Sequence, residues 1–438
     1  MNYAKWESKE NLFEHLVNMN LKNDITRGGI PIVYEDNNIY LNKEDYHSLI
    51  IGATGSGKTQ TTILPLIKLS MLAGESIIVN DINGCIYKKT FNNFKENGYK
   101  VVVLNFNKPQ YGQSWNPLDL PYKLYKEGKK DKVLKMIEDI GYYLFKDNTD
   151  VSDPFWTNMA IDYFSGLVLY LFSKEEKTPI NLKNVFKLAT DLRNEKYAKK
   201  FLEEIGKDNA IYYSVSGTLE TANETKASII SVFLQKCKIY TSREELSNMI
   251  SKSDFDITNI LNEKTIVYII NDFSYTSSLG SLFISQICEI KNLYNNNKIL
   301  NIVLDDFYKM APIKDAANLF GYAKNINIRL AICVRGFNDL INDYGKENSE
   351  IIKGNCGNII YLLSHDMDTL EEVSKLCGLQ EKNANVIPLI TVEELKCLDK
   401  FEAIFLIFRC MPFKTNLIPD YQIKWPFSEI LTELELKK

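Results

Sequence analysis

The chain has 438 residues, 45% hydrophobic and 25% charged, which excludes a disordered, collagen-like or disulfide-scaffold polypeptide and leaves room for two or three compact units. A formal net charge of −4 excludes general coating of nucleic acid, because the field of the whole molecule repels phosphate and any DNA contact must come from a local basic surface. Only six of the 52 basic residues are arginines (Arg27, Arg193, Arg243, Arg329, Arg335 and Arg409), and the eight cysteines are dispersed without a CxxC pair, which reads as small buried apolar side chains in a reducing compartment.

The first residues lack the n-region and h-region of a signal peptide. No run approaches the roughly 18 apolar residues of a membrane helix; the strongest, over 159–172, carries Asp162. The sequence is therefore expected to be soluble and cytoplasmic. Residues 1–27 read as an N-terminal helical arm, with an amphipathic helix over 9–19 that packs rather than binds membrane. From Tyr46 onward, short β-branched runs alternate with amphipathic stretches, the pattern of a parallel sheet with crossover helices. Strands are predicted over 47–51, 76–80 and 100–105, separated by a helix over 58–72 bent at Pro65 and a second through Lys88 and Phe94. These make two βαβ units and place a first part of one domain at 28–120.

Across 121–262 the spacing turns helical, as in Val133, Met136, Ile137, Ile140 and Leu144 or Ile229, Val232 and Phe233, so an all-α domain is expected there. Its densest basic run, Lys126 to Lys132, reads as a solvated helix start. Strands resume at 265–270, 301–304, 328–334, 358–363 and 403–408, and the first domain is completed by 263–438. The fold class is α/β: a mainly parallel sheet interrupted by an inserted helical domain.

Gly52-Ala53-Thr54-Gly55-Ser56-Gly57-Lys58-Thr59 is a complete GxxxxGK[ST] loop between a predicted strand and a predicted helix. Its glycines let backbone N–H groups converge on phosphate oxygens, Lys58 reaches the β- and γ-phosphates, and Thr59 ligates Mg²⁺. Such a site needs a carboxylate at the end of another buried strand, and Ile302-Val303-Leu304-Asp305-Asp306 supplies it. Asp305 would serve the metal, and Asp306 would orient or deprotonate the attacking water with a side chain one methylene shorter than the usual Glu. Two more strand ends are candidates, since open α/β sheets bind ligands at their carboxyl edge: Asp81, which also suits a turn, and Arg335, which could sense the γ-phosphate.

In order along the chain, the motifs resemble the coupling proteins of type IV secretion and conjugation, TraG-like members of the FtsK/HerA class of motor ATPases. The resemblance runs from about residue 28 to 425, through Gly28-Gly29-Ile30-Pro31, Tyr46 to Ile51, Gly98-Tyr99-Lys100-Val101 with Leu104-Asn105, Ser114-Trp115-Asn116-Pro117-Leu118 and Asp153-Pro154-Phe155-Trp156. It continues through Leu304-Asp305-Asp306-Phe307, Tyr344-Gly345, Gly354-Asn355-Cys356-Gly357 and Ile418-Pro419. It implies a RecA-like nucleotide-binding domain, ATP and Mg²⁺ as cofactors, hexamers with ATP sites between subunits, and DNA or a relaxase–DNA complex as cargo for a secretion channel at the inner face of the membrane. The family's membrane-spanning region has no counterpart in this sequence, so membrane contact is expected through a partner.

Three positions depart from the family pattern at the catalytic centre. Asp81-Ile82-Asn83-Gly84-Cys85 keeps Asp and Gly but has Asn83 and Cys85 in place of Lys and Glu, Arg335 stands for a Gln, and Asp306 stands for a Glu. Candidates for a residue acting in trans on a neighbour's ATP are Arg243, Arg329 and Arg409, together with Lys324, which stands where family members tend to have an arginine. The expectation is a DNA-translocating ATPase; the alternative is a nucleotide-gated recruitment module that binds substrate protein through its helical domain without turnover.

Overall fold

The computed structural model describes residues 3–146, 154–174, 179–271, 276–294, 296–428 and 430–432; Asp153 of the expected Asp-Pro-Phe-Trp element lies outside them. The strands are β1 (Leu16–Asn20), β2 (Val33–Glu35), β3 (Asn38–Asn42), β4 (Ser48–Gly52), β5 (Ser76–Asn80), β6 (Lys100–Asn105), β7 (Thr265–Ile270), β8 (Leu300–Leu304), β9 (Ile328–Val334), β10 (Asn358–Leu363), β11 (Leu379–Lys382), β12 (Asn385–Pro388), β13 (Glu402–Ile407) and β14 (Phe413–Asn416). Nine of them form one sheet in the order β14-β13-β10-β4-β9-β8-β5-β7-β6. From β10 to β7 every neighbouring pair is parallel, and β13 and β14 close the sheet antiparallel at one side. Every residue of β4, β5, β7, β8 and β9 is buried, which is why these strands are continuous apolar runs: helices cover both faces.

The chain divides into two compact units. The first holds Met1–Val103, Thr258–Asn271 and Ile290–Lys437, the second Leu104–Ile257 and Asp272–Glu289. The second is helical but wider than residues 121–262. Within it, Trp115 packs edge-on against Phe283 with ring centroids 5.1 Å apart, and the Gln286 amide donates to the Pro117 carbonyl at 2.8 Å. These contacts draw flanking segments into the helical core. The helices Leu182–Asp191, Glu195–Ile205 and Ala210–Leu219 start at Asn181, Asn194 and Asn209, whose side chains accept the first free backbone N–H groups. Phe233 gathers Phe145, Tyr163 and Phe186 around itself. A Cβ on Gly166 would lie 2.4 Å from Val215 Cγ1, so glycine permits the close approach of the helices Pro154–Ser173 and Ala210–Leu219.

Residues 1–27 are not a helical arm. The helix stops after Lys9–Phe13, and Leu16–Asn20 is β1, paired antiparallel with β3 in a small sheet of order β1-β3-β2. Pairing with a partner strand overrides the helical spacing, which an isolated stretch of this length could not sustain alone. A second difference follows the glycine-rich loop. Thr59–Ile63 is a π-helical turn in which the Leu64 N–H reaches back five residues to the Thr59 carbonyl, and only then does the α-helix Leu64–Leu72 begin. Pro65 has no N–H to offer, while the Thr61 and Thr62 hydroxyls donate to the carbonyls of Gly57 (3.1 Å) and Lys58 (2.6 Å). Of the eight cysteines, Cys85 and Cys397 are exposed, contrary to the reading of all as buried.

Candidate nucleotide-binding site

Register alone brings the sequence candidates to one edge of the sheet. Ile51 of β4 faces Val334 of β9, Ile332 of β9 faces Leu304 of β8, and Leu304 faces Asn80 of β5. The residues that follow these parallel strands therefore emerge together: Ala53 with the loop after β4, Arg335 after β9, Asp305 after β8 and Asp81 after β5.

The loop 52–59 has Gly55 and Gly57 at φ +85° and +99°, backbone states that favour glycine and aim successive N–H groups inward. A Cβ on Gly57 would also lie 3.0 Å from the ring of Phe401. The Ala53 N–H is anchored on the Leu363 carbonyl of β10 at 2.7 Å. The Lys58 ammonium, buried with its residue, donates to the carbonyls of Gly52 and Ala53. Thr59 Oγ1 donates to Asp305 Oδ2 at 3.0 Å, joining the loop to the end of β8 across the intervening strand β9.

Asp305 is held from several sides. Its carbonyl accepts from Asn80 Nδ2 at 3.2 Å, and its Oδ1 accepts the Asp306 N–H at 3.1 Å. Burial and the Asp306 charge raise its pKa, against the Thr59 hydroxyl and the Lys58 charge, which lower it. The Thr59 hydroxyl, the Asp305 carboxylate and the buried, unpartnered Oδ1 of Asn80 form a hard oxygen set of the kind Mg²⁺ takes. Asp81 has the turn role. Its Oδ2 accepts the Tyr87 N–H at 2.7 Å at the start of the helix Cys85–Glu96, and burial pushes its carboxyl up to about 6.

The two remaining candidates are tied to protein partners. Asp306 sits at φ +50° and accepts from Lys309 Nζ at 2.7 Å. Arg335 grips Asp339 with two prongs, Nη2 to Oδ1 at 2.6 Å and Nε to Oδ2 at 3.2 Å, and its Cζ lies 4.0 Å from the centroid of the Tyr308 ring. Sequence reasoning missed Asn80, Tyr308, Lys309, Asp339 and Phe401. Only Asp339 had a signal, four residues beyond Arg335 at a helix start.

The trans candidates separate. Arg329 is buried at the opposite edge of the sheet, where its guanidinium donates to the Gly28 carbonyl (2.6 Å) and to Glu75 (2.5 Å) and pairs with Asp45 (3.2 Å). A locked, buried cation cannot reach another subunit, so Arg329 is withdrawn. Lys324, beside Glu44 and the ring of Tyr46, is exposed at that same edge. Arg409 is exposed there too, because β13 runs antiparallel to β10 with Ile407 opposite Asn358. Arg243, exposed, joins the helices Asn223–Ser242 and Glu244–Met249 of the helical unit.

A parallel sheet with a phosphate loop after β4 and a carboxylate after β8, two strands away, is the RecA-like P-loop fold. The chain belongs to the type IV secretory system conjugative DNA transfer family, whose model matches residues 1–384. Among solved structures it is similar to the bacterial conjugative coupling protein TrwBdeltaN70, unbound, at TM-score 0.68 and 14% identity, covering 97% of this chain and 93% of that one. TrwB in complex with ADP and Mg²⁺ gives 0.70 at 14% identity, covering 95% and 94%. VirB4 of Thermoanaerobacter pseudethanolicus gives 0.56 at 12%, covering 89% and 96%. No curated protein matches the chain. Among the described residues no helix is long and apolar enough to cross a membrane.

Proposed function

We propose that this chain is an ATP-dependent coupling protein that recruits a relaxase–DNA substrate and drives DNA into a type IV secretion channel, acting as a homo-hexamer at the inner face of the membrane. The observation that carries the catalytic part is the 3.0 Å bond between Thr59 and Asp305. It puts the loop hydroxyl and the strand-end carboxylate where one Mg²⁺ would be shared between them, and the metal would neutralise charge on the β- and γ-phosphates. The N–H groups of Gly55 to Lys58 hold phosphate oxygens, and Lys58 exchanges the Gly52 and Ala53 carbonyls for them. Arg335 adds positive charge next to the same strand ends. DNA, held by lysines and backbone N–H groups on phosphate, is carried without base preference.

Steady-state ATP hydrolysis with and without single- and double-stranded DNA tests this, with Lys58→Ala as blank. Turnover that rises with DNA and disappears in Lys58→Ala is expected; turnover no higher than the blank in every condition would reject the motor. A second reading, a nucleotide-gated recruitment module, is favoured by one observation: Asp306 and Arg335 are both bound to protein groups, Lys309 and Asp339. It requires ATP and partner binding without turnover.

A further inference from the structure

We propose that the helical unit carries a second anion site, a groove that takes a phosphate group, formed by Lys226, Arg193 and the first turn of the helix Asn223–Ser242. The groove encloses about 250 Å³, and Arg193, Glu195, Asn223, Lys226, Ile230 and Ser231 line it. It lies wholly within the helical unit and shares no residue with the loop 52–59.

Lys226 carries the inference. It is only 8% exposed, its side chain lines the groove, and it has neither a hydrogen-bond nor an ion-pair partner in the protein. An ammonium held out of water without a counter-charge is costly, and buried lysines are ordinarily paired. Lys68, Lys291 and Lys353 are buried in the same chain, and each is matched by carboxylates or carbonyls. The missing partner of Lys226 is therefore supplied from outside, and it must be negative.

Three further features fix the sign and the kind of ligand. The helix Asn223–Ser242 is 20 residues long and starts at Ala222, with no side chain capping it. Its first intrahelical bond runs from the Lys226 N–H to the Ala222 carbonyl, so the N–H groups of residues 223 to 225 point out of its positive end. Arg193, exposed on the rim, brings a second cation with a planar fork suited to phosphate. Glu195 is the one carboxylate on the lining, so the groove keeps a net positive charge. Ile230, buried, closes the apolar floor, and the Ser231 hydroxyl and Asn223 amide offer neutral donors. A tetrahedral oxyanion with several acceptor oxygens matches this set better than a single carboxylate.

Two sources present such a group: free phosphate or a monoester, and the backbone of a DNA strand. Titration calorimetry of the full chain carrying Lys58→Ala, so that the phosphate loop is crippled in every sample, separates them with inorganic phosphate and a twelve-residue oligothymidylate as probes. Lys226→Met, nearly isosteric, is expected to weaken binding about tenfold, and Arg193→Ala by a comparable factor. Loss of oligomer binding in both variants assigns the site to a strand, whereas loss of inorganic phosphate binding alone assigns it to a free phosphate or monoester. Equal affinities with and without Lys226→Met, or no binding of either probe to the parent, overturns the proposal. Because Arg193 is exposed, its variant keeps the test valid even if Lys226→Met does not fold.

Discussion

Arg335 holds Asp339 through two N–H groups and lays its face on Tyr308, so its charge is aimed by geometry that lysine cannot copy. Arg335→Lys is expected to lower kcat for ATP about 10- to 100-fold with KM little changed, read in steady-state kinetics; an unchanged kcat would remove Arg335 from γ-phosphate sensing. At the other edge of the sheet, His47 is buried, and its Nδ1 accepts the Leu330 N–H at 3.2 Å. Burial, aided by the Lys324 charge and opposed by a bond to the Phe320 backbone, pushes its pKa down to about 4 from 6.5. Between those values the unfolded chain binds more protons than the folded one, so the contribution is full above pH 6.5 and is lost as pH falls through 4. Its ceiling is about 3 kcal/mol. Urea midpoints for wild type and His47→Gln should converge as pH falls from 7.5 to 4.5; parallel curves would show that His47 does not set the slope. The phosphate loop and the strand-end carboxylate were readable in sequence because each is a short motif at the end of an apolar run. The pairing of Asp306 with Lys309 was not, since it depends on a left-handed turn at Asp306 that the letters do not announce.

Among the elements, the helix that leaves the phosphate loop is pinned from behind. Lys68 Nζ lies 2.8 Å from Asp420 Oδ2 with both side chains buried, and the Trp425 indole N–H donates to Asp420 Oδ1 at 3.1 Å. Removing one charge leaves the other buried and alone, so Asp420→Ala should cost about 3–5 kcal/mol and expose Trp425, measurable as lower urea stability with red-shifted emission. The double variant Lys68→Met with Asp420→Leu should cost less than either charge deletion; a larger loss would mean the pair contributes net stability. All eight predicted core strands are present because burial on both faces makes a strand an unbroken apolar run. The hairpin β11–β12 and the pair β2–β3 escaped notice for the opposite reason: they are largely polar. They are organised by Asn383-Ala384 and Asp36-Asn37, all at positive φ, a two-residue turn that neither pair advertises as Asn-Gly would.

At the scale of the whole molecule, a net charge of −4 means that DNA engages only through local cations against a repelling field. DNA stimulation of turnover is therefore expected to fall steeply between about 50 and 200 mM salt, while the DNA-free rate stays level; stimulation indifferent to salt would point to contacts other than phosphate. The order of strands in the large sheet has a consequence for biosynthesis. β4 and β5 leave the ribosome early, but the strands that lie between them, β8 and β9, are made only after the entire helical unit. At about 5–20 residues per second the phosphate-loop strand waits roughly 15–55 s for its neighbour β9. During that interval two apolar strands have open edges, the condition that invites mispairing. Correct assembly of the nucleotide site is thus a late event in translation, and the yield of active protein should depend on how well the nascent chain is shielded until Val334 has emerged.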